Sequence, residues 1–224
     1  MKEKLIGVVA MAAAAFLWTG SASAQVFGNQ GDAAFGAERL MGIHSDHAFQ
    51  DPEVNGGPGQ DYDVTTLGFG WFAHGVGSPF DLPRFSFDYF IAEHWSLGGA
   101  LGYQSTSITT NNGRNAGNTP QGSDFIFAPR VGYAHMFGRV VGIWPRAGLT
   151  YHDESFDGAA DRDINGFALS AECQFVFVPT MHFAFLLGPS LDLDFTGRTR
   201  RDDGVNVDHG YRSLGLQVGL MGWL

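Results

Sequence analysis

Segments of alternating polarity constrain the fold of this chain more than any other feature. In one of them, Phe125, Phe127, Val131 and Tyr133 share one face, while the opposite face combines small residues with Arg130. Spanning β-strands need about 9 to 11 residues with apolar side chains at alternate positions. A soluble sandwich would instead carry charged side chains on its outward face. The pattern therefore predicts strands whose apolar face meets lipid and whose second face lines a narrow lumen.

Seven segments follow this pattern, and they lie at residues 84–91, 96–104, 124–134, 143–152, 167–177, 183–194 and 213–224. Their shared parity predicts a set of lipid-facing side chains, namely Phe127, Leu149, Cys173, Phe175, Phe185 and Leu216. We therefore predict an all-β fold, a closed antiparallel transmembrane barrel.

The sequence does not decide which segment forms the first strand of the barrel. Residues 35–44 alternate weakly and residues 64–73 alternate better, so either segment can supply it. Single-chain bacterial barrels have an even number of strands. We expect eight strands, with the unused segment forming a loop strand or an N-terminal extension, and ten strands as the alternative.

The connections between the predicted strands alternate in length. Those at 92–95, 137–140 and 178–181 are short, whereas those at 106–122, 153–163 and 197–210 are long and rich in polar residues and glycine. Short periplasmic turns and long extracellular loops are typical of outer-membrane barrels. Trp95, Phe137 and Trp223 fall near the short turns, where we expect an aromatic girdle.

The N-terminus has the layout of a secretory signal peptide. Lys2 and Lys4 precede an apolar run over 5–18, and Ala22 and Ala24 form an A-x-A cleavage site before Gln25. The run is shorter than the roughly 20 residues that a spanning helix needs. We predict a signal peptide at 1–24 and one barrel domain at 25–224.

Composition excludes several classes of function. The formal net charge is −10 at pH 7, which argues against a nucleic-acid partner because nucleic acid needs a basic surface. Cys173 is the sole cysteine, so a disulfide framework is excluded. Cysteine and histidine show no metal-ligand spacing. We expect neither a metal nor a cofactor.

Three stretches of the sequence resemble known proteins. The runs 87–99 and 128–133 resemble strand signatures of small Gram-negative outer-membrane barrels, the broad OmpA-like, OmpW-like and opacity-protein group. Residues 215–224 resemble the C-terminal strand that the barrel-insertion machinery reads, although Leu224 stands where Phe is usual. The resemblance covers most of 33–224. It implies eight strands and an outer-membrane location, and it implies little about activity.

A charged network is predicted inside the barrel. Arg130, Arg146 and Glu172 lie on three consecutive strands and all face inward by parity. Buried charges must be paired, so a further inward carboxylate is needed, and Asp88 and Asp192 are the candidates. The network either fills the lumen as structure or forms a gate in a narrow conduit.

Candidate catalytic residues are scarce. Residues 151–155 contain the residue types of a Ser/His/acid hydrolase, but consecutive side chains in a strand face opposite ways. We therefore expect a non-catalytic scaffold. A narrow porin-like channel for small solutes and, less favoured, a lipid-modifying enzyme are the alternatives.

Two loop clusters could bind ligands. His44, His47, Asp46 and Asp51 could bind a cation. Arg198, Arg200 and Arg201 could pair with the phosphates of lipopolysaccharide. The expected partners are outer-membrane lipids, lipopolysaccharide and the insertion machinery, and we expect a monomer.

Overall fold

The computed structural model describes residues 27–50, 59–69, 78–107, 121–157, 162–201 and 206–224. These residues form eleven strands: β1 (Ala33–Gln50), β2 (Gln60–Phe69), β3 (Arg84–Ala92), β4 (Trp95–Ser107), β5 (Gln121–Tyr133), β6 (His135–Met136), β7 (Val141–Asp157), β8 (Arg162–Thr180), β9 (Phe183–Asp194), β10 (Arg198–Arg201) and β11 (Asn206–Trp223). Within these ranges, no helix has the length and apolar character needed to cross a membrane.

Eight of the strands form a closed wall. Their order is β11-β9-β8-β7-β5-β4-β3-β1, every pairing is antiparallel, and β1 pairs again with β11. The closing ladder runs from Ala34 opposite Trp223 to Gln50 opposite His209. The predicted closed barrel of eight strands is therefore confirmed.

Side-chain exposure alternates along the wall strands. In β5, Phe127 is 46% exposed, whereas its neighbours Ile126 and Ala128 are buried in the lumen. Leu149, Phe175, Phe185 and Leu216 also face outward, each between 43% and 54% exposed, and Cys173 is half-buried. These side chains form an apolar belt around the outside of the barrel, and such a belt is typical of a surface that contacts lipid.

Two strands, β2 and β3, pair with the same edge of β1. On the same side of β1, β3 pairs with Ala33–Glu38 and β2 pairs with Met41–Gln50. Residues 78–83, which we call the plug, precede β3 and lie buried, with a 3-10 turn at Pro79–Asp81. Pro79 and Pro83 of the plug have no backbone N–H to donate to a strand ladder. The first barrel strand is thus β1. The described part of 64–73 lies in β2, and residues 70–73 lie outside the described residues.

Three details differ from the sequence-based expectations. The long connections are partly strand, because the ladder between β7 and β8 continues to Phe156 opposite Arg162 and a further strand, β10, joins β8 and β11. A bulge lets β8 run to Thr180, which moves that short turn to residues 181–182. Trp223 is 2% exposed inside the barrel and not in a girdle.

Candidate functional site

The middle of the lumen holds a network of five charged side chains, Glu38, Asp88, Arg130, Arg146 and Glu172, which we call the charged layer. Arg130 donates to Glu38 at 2.7 and 2.8 Å, to Asp88 at 2.5 Å and to Glu172 at 3.1 Å. Arg146 donates to Glu38 at 2.6 Å and lies 3.0 Å from Glu172. Two guanidiniums thus bind three carboxylates, with nearly all of the five side chains removed from solvent.

The register of the wall brings these side chains together. Arg146 on β7 lies directly opposite Glu172 on β8, and Arg130 on β5 lies opposite Gly148. Gly98 pairs with both Asp88 and Arg130 across two ladders. A Cβ on Gly98 would overlap the backbone carbonyl oxygen of Phe87 and lie 2.6 Å from Asp88 Oδ1, so a larger residue there would displace both the neighbouring strand and the carboxylate. Small residues on the inward face therefore make room for the charged layer.

Asp192 lies apart from the charged layer. Its carboxylate is 2.9 Å from Arg39 Nη2 and accepts a hydrogen bond from Ser170 at 2.5 Å. Sequence parity missed Arg39 as an inward residue because β1 has a register shift between Ala37 and Met41, and Arg39 adopts a φ of 53°. A bulge of this kind re-aims side chains. Consecutive residues Glu38 and Arg39 consequently both point into the lumen and are buried.

The plug closes the lumen on the long-loop side of the charged layer. The carbonyl oxygen of Phe80 accepts hydrogen bonds from Arg39 and, at 3.2 Å, from Arg84. The carboxylate of Asp81 lies 2.9 Å from His44 Nδ1. The Phe80 ring is fully buried and packs edge-on against the rings of His152 and Tyr211, at centroid distances of 5.4 and 6.2 Å.

The residues singled out as hydrolase types lie beside the plug. His152 is fully buried, with Nε2 3.2 Å from Asp194 and Nδ1 3.6 Å from Glu154. Ser155 has the opposite parity, and its hydroxyl donates to Asp163 at 3.0 Å. The structure therefore pairs the histidine with two acids but separates it from that serine.

The proposed cation ligands are divided between two faces of β1. His44 and Asp46 are buried in the lumen, whereas His47 is partly exposed and contacts Asp63 at 2.8 Å. Asp51 lies outside the described residues. Within the described ranges, no group of three or more histidine, cysteine or acidic residues has the arrangement of a metal site.

An aromatic cluster closes the short-turn end of the lumen. The ring of Phe27 packs against Phe90, Trp144 and Trp223 at centroid distances of 5.1, 5.2 and 5.3 Å. We call these four residues the aromatic layer. The segment that carries Phe27 is held by hydrogen bonds from Gly31 N to Phe90 O and from His94 N to Gly28 O. This end is consequently filled by apolar rings.

A small cavity adjoins the charged layer. Its volume is about 20 Å³, and the residues that line it include Arg39, Arg84, Arg130, Arg146 and Glu172. That volume suits about one water molecule.

The arginines on β10 lie at the long-loop end. Arg198 is exposed and pairs in register with Asp208 on β11. Arg200 and Arg201 continue the same strand, and their side chains lie outside the described residues.

The barrel is similar to solved structures of bacterial surface proteins. Neisserial surface protein A aligns with 14% identity over 86% of this chain and 99% of its own, with a TM-score of 0.50. The chain has the fold of the small outer-membrane β-barrels. OprG from Pseudomonas aeruginosa aligns with 13% identity over 89% of this chain and 99% of its own, with a TM-score of 0.49. No family model matches the sequence, and no curated protein is significantly similar to it.

Proposed function

We propose that this protein is a non-catalytic outer-membrane barrel with a sealed lumen, acting as a membrane-stabilising or surface-display scaffold. The observation that carries the proposal is the filling of the lumen at three successive levels. The side chains of the aromatic layer, the charged layer and the plug are buried, except that Glu172 in the charged layer is 12% exposed. An eight-stranded barrel is just wide enough for side chains to fill it, so a continuous water path has little room.

The buried state of His152 supports a structural role for the histidine and its acids. Its imidazole lies under the Phe80 ring and between Asp194 and Glu154, all well shielded from solvent. A general base must reach the proton that it removes. In this arrangement the imidazole is placed to hold the plug and neighbouring strands together.

The proposal includes a location and partners. A signal peptide at 1–24 would direct the chain across the inner membrane, and the C-terminal strand β11 would be read by the insertion machinery. The apolar belt would contact membrane lipids, and Arg198, Arg200 and Arg201 would pair with lipopolysaccharide phosphates at the long-loop end. We propose that the barrel acts as a monomer.

Single-channel conductance of the refolded protein in a planar bilayer tests the sealed lumen. We expect the wild type to conduct negligibly, because the three layers obstruct the axis. Glu172→Gln removes the negative charge that faces Arg130 and Arg146, and we expect it to loosen the charged layer and produce flickering conductance. Glu93→Gln, in an exposed turn, is the matched control and should behave as wild type.

A large, steady wild-type conductance that Glu172→Gln leaves unaltered would contradict the sealed lumen. That outcome would favour the second candidate, a narrow channel for small solutes.

A further inference from the structure

The plug residue Phe80 occupies its place in the lumen as a ligand occupies a binding site. Its ring packs against the rings of His152 and Tyr211 and belongs to an apolar cluster that includes Ala48, Ile164 and Ala168. Its carbonyl oxygen accepts from two guanidiniums, those of Arg39 and Arg84. The seat thus combines a pocket for one aromatic ring with two cationic donors for one oxygen.

The charge of this seat does not match its present occupant. Arg39 is compensated by Asp192 at 2.9 Å. For Arg84, by contrast, no carboxylate oxygen among the described residues lies within 4.0 Å, although its side chain is almost completely buried. A neutral carbonyl is a weaker partner for a buried guanidinium than a carboxylate. Asp192, Glu172 and Glu38 compensate Arg84 only from beyond that distance, so an anion at the carbonyl position would add a direct ion pair that the peptide group does not provide.

A small cavity lies beside the same two guanidiniums. The cavity of about 20 Å³ is lined by Arg39 and Arg84. The Nε of Arg84 is buried and has no hydrogen-bond acceptor. A carboxylate placed at the position of the Phe80 carbonyl would have two oxygens, and the second could accept from this free donor, because guanidinium presents several N–H groups in one plane.

We propose that the seat of Phe80 is a binding site for small aromatic monocarboxylates, which the plug occupies as an internal competitor. The ring of the ligand replaces the Phe80 ring, and its carboxylate replaces the carbonyl between Arg39 and Arg84. The proposal concerns binding alone and does not depend on whether the lumen conducts.

The test compares phenylacetate binding to the refolded wild type and to Phe80→Ala by isothermal titration calorimetry. Removal of the ring vacates the ring pocket and leaves only the carbonyl of residue 80 to be displaced from between Arg39 and Arg84, so we expect the variant to bind phenylacetate about tenfold or more tightly than the wild type. Phenylacetamide has the same ring without the charge, and acetate has the charge without the ring. We expect both to bind Phe80→Ala about tenfold more weakly than phenylacetate, since each lacks one half of the recognition.

A second variant measures the contribution of the Arg84 guanidinium to binding separately from that of the ring pocket. In the Phe80→Ala background, Arg84→Gln should abolish the preference for phenylacetate over phenylacetamide, whereas Arg139→Gln in an exposed turn should preserve it. Phe80→Leu keeps an apolar side chain in the seat and provides a folded variant of intermediate affinity if Phe80→Ala refolds poorly. Equal affinity of wild type and both Phe80 variants for phenylacetate would overturn the proposal. Equal affinity of Phe80→Ala for phenylacetate and phenylacetamide would overturn it as well.

Discussion

The charged layer and the aromatic layer fill the same lumen by different physical means. In the charged layer, each guanidinium depends on specific carboxylate oxygens at hydrogen-bonding distance. In the aromatic layer, four rings pack through shape and apolar contact at centroid distances of 5.1–5.9 Å. Directional contacts between buried charges tolerate almost no change of partner, whereas apolar packing tolerates substitutions that keep volume. The middle of the barrel should therefore be the more sensitive region.

The largest effect is expected at Glu38. Glu38→Gln keeps the shape of the side chain but removes the charge that accepts three hydrogen bonds from Arg130 and Arg146. Loss of one partner from a buried ion pair costs about 3–5 kcal/mol. A urea titration of the refolded barrel in lipid vesicles measures the change in unfolding free energy. The exposed control Glu93→Gln should change it by less than about 0.5 kcal/mol.

A substitution on the outer face of the barrel tests whether an arginine there is more costly than the paired arginines in the lumen. Leu216→Arg places a guanidinium on the lipid face, where Leu216 is 51% exposed. Near the bilayer midplane such a change costs about 2–4 kcal/mol, and Leu216→Met should cost less than about 1.5 kcal/mol. The same urea titration applies. If both variants unfold like the wild type, Leu216 does not face the hydrocarbon region.

A smaller effect is expected in the aromatic layer. Phe27→Leu keeps an apolar side chain in the cluster but loses its ring contacts with Phe90, Trp144 and Trp223. We expect a loss of about 1–2 kcal/mol, since aromatic pairs add modestly to burial. A cost equal to that of Glu38→Gln would remove the contrast between the two layers. Phe137→Leu, at an exposed turn, is the control.

The mildest test leaves the protein unmodified except at its single thiol. Cys173 follows Glu172 in β8, so a lumen-facing Glu172 requires Cys173 to face the acyl chains. A bilayer-soluble maleimide should label Cys173 in vesicles, and a charged, impermeant maleimide should not. Mass spectrometry of the intact protein gives both yields. Rapid labelling by the impermeant reagent would place the thiol in water.

The sequence predicted the wall of the barrel well because period-two alternation reports directly on which face is buried. All seven strands expected from Arg84 onward are present. The first strand was ambiguous because the bulge after Ala37 breaks the alternation, which also hid the inward position of Arg39. The plug carries no periodic pattern, so its contacts with Arg39 and Arg84 could be found only in three dimensions. Trp223 was wrongly assigned to the girdle because position near a turn does not tell inside from outside.

The ladder between β1 and β11 sets the order in which this barrel can assemble. It joins the first and last strands of the described chain, so it has the largest sequence separation of any pairing in the wall. Contacts between distant segments form late because their chain entropy must be lost first. Phe27 packs on Trp223 at this seam, and Glu38 on β1 reaches Arg130 across the lumen. Closure of the seam is therefore expected late in assembly, and it completes the aromatic layer by bringing Phe27 onto Trp223.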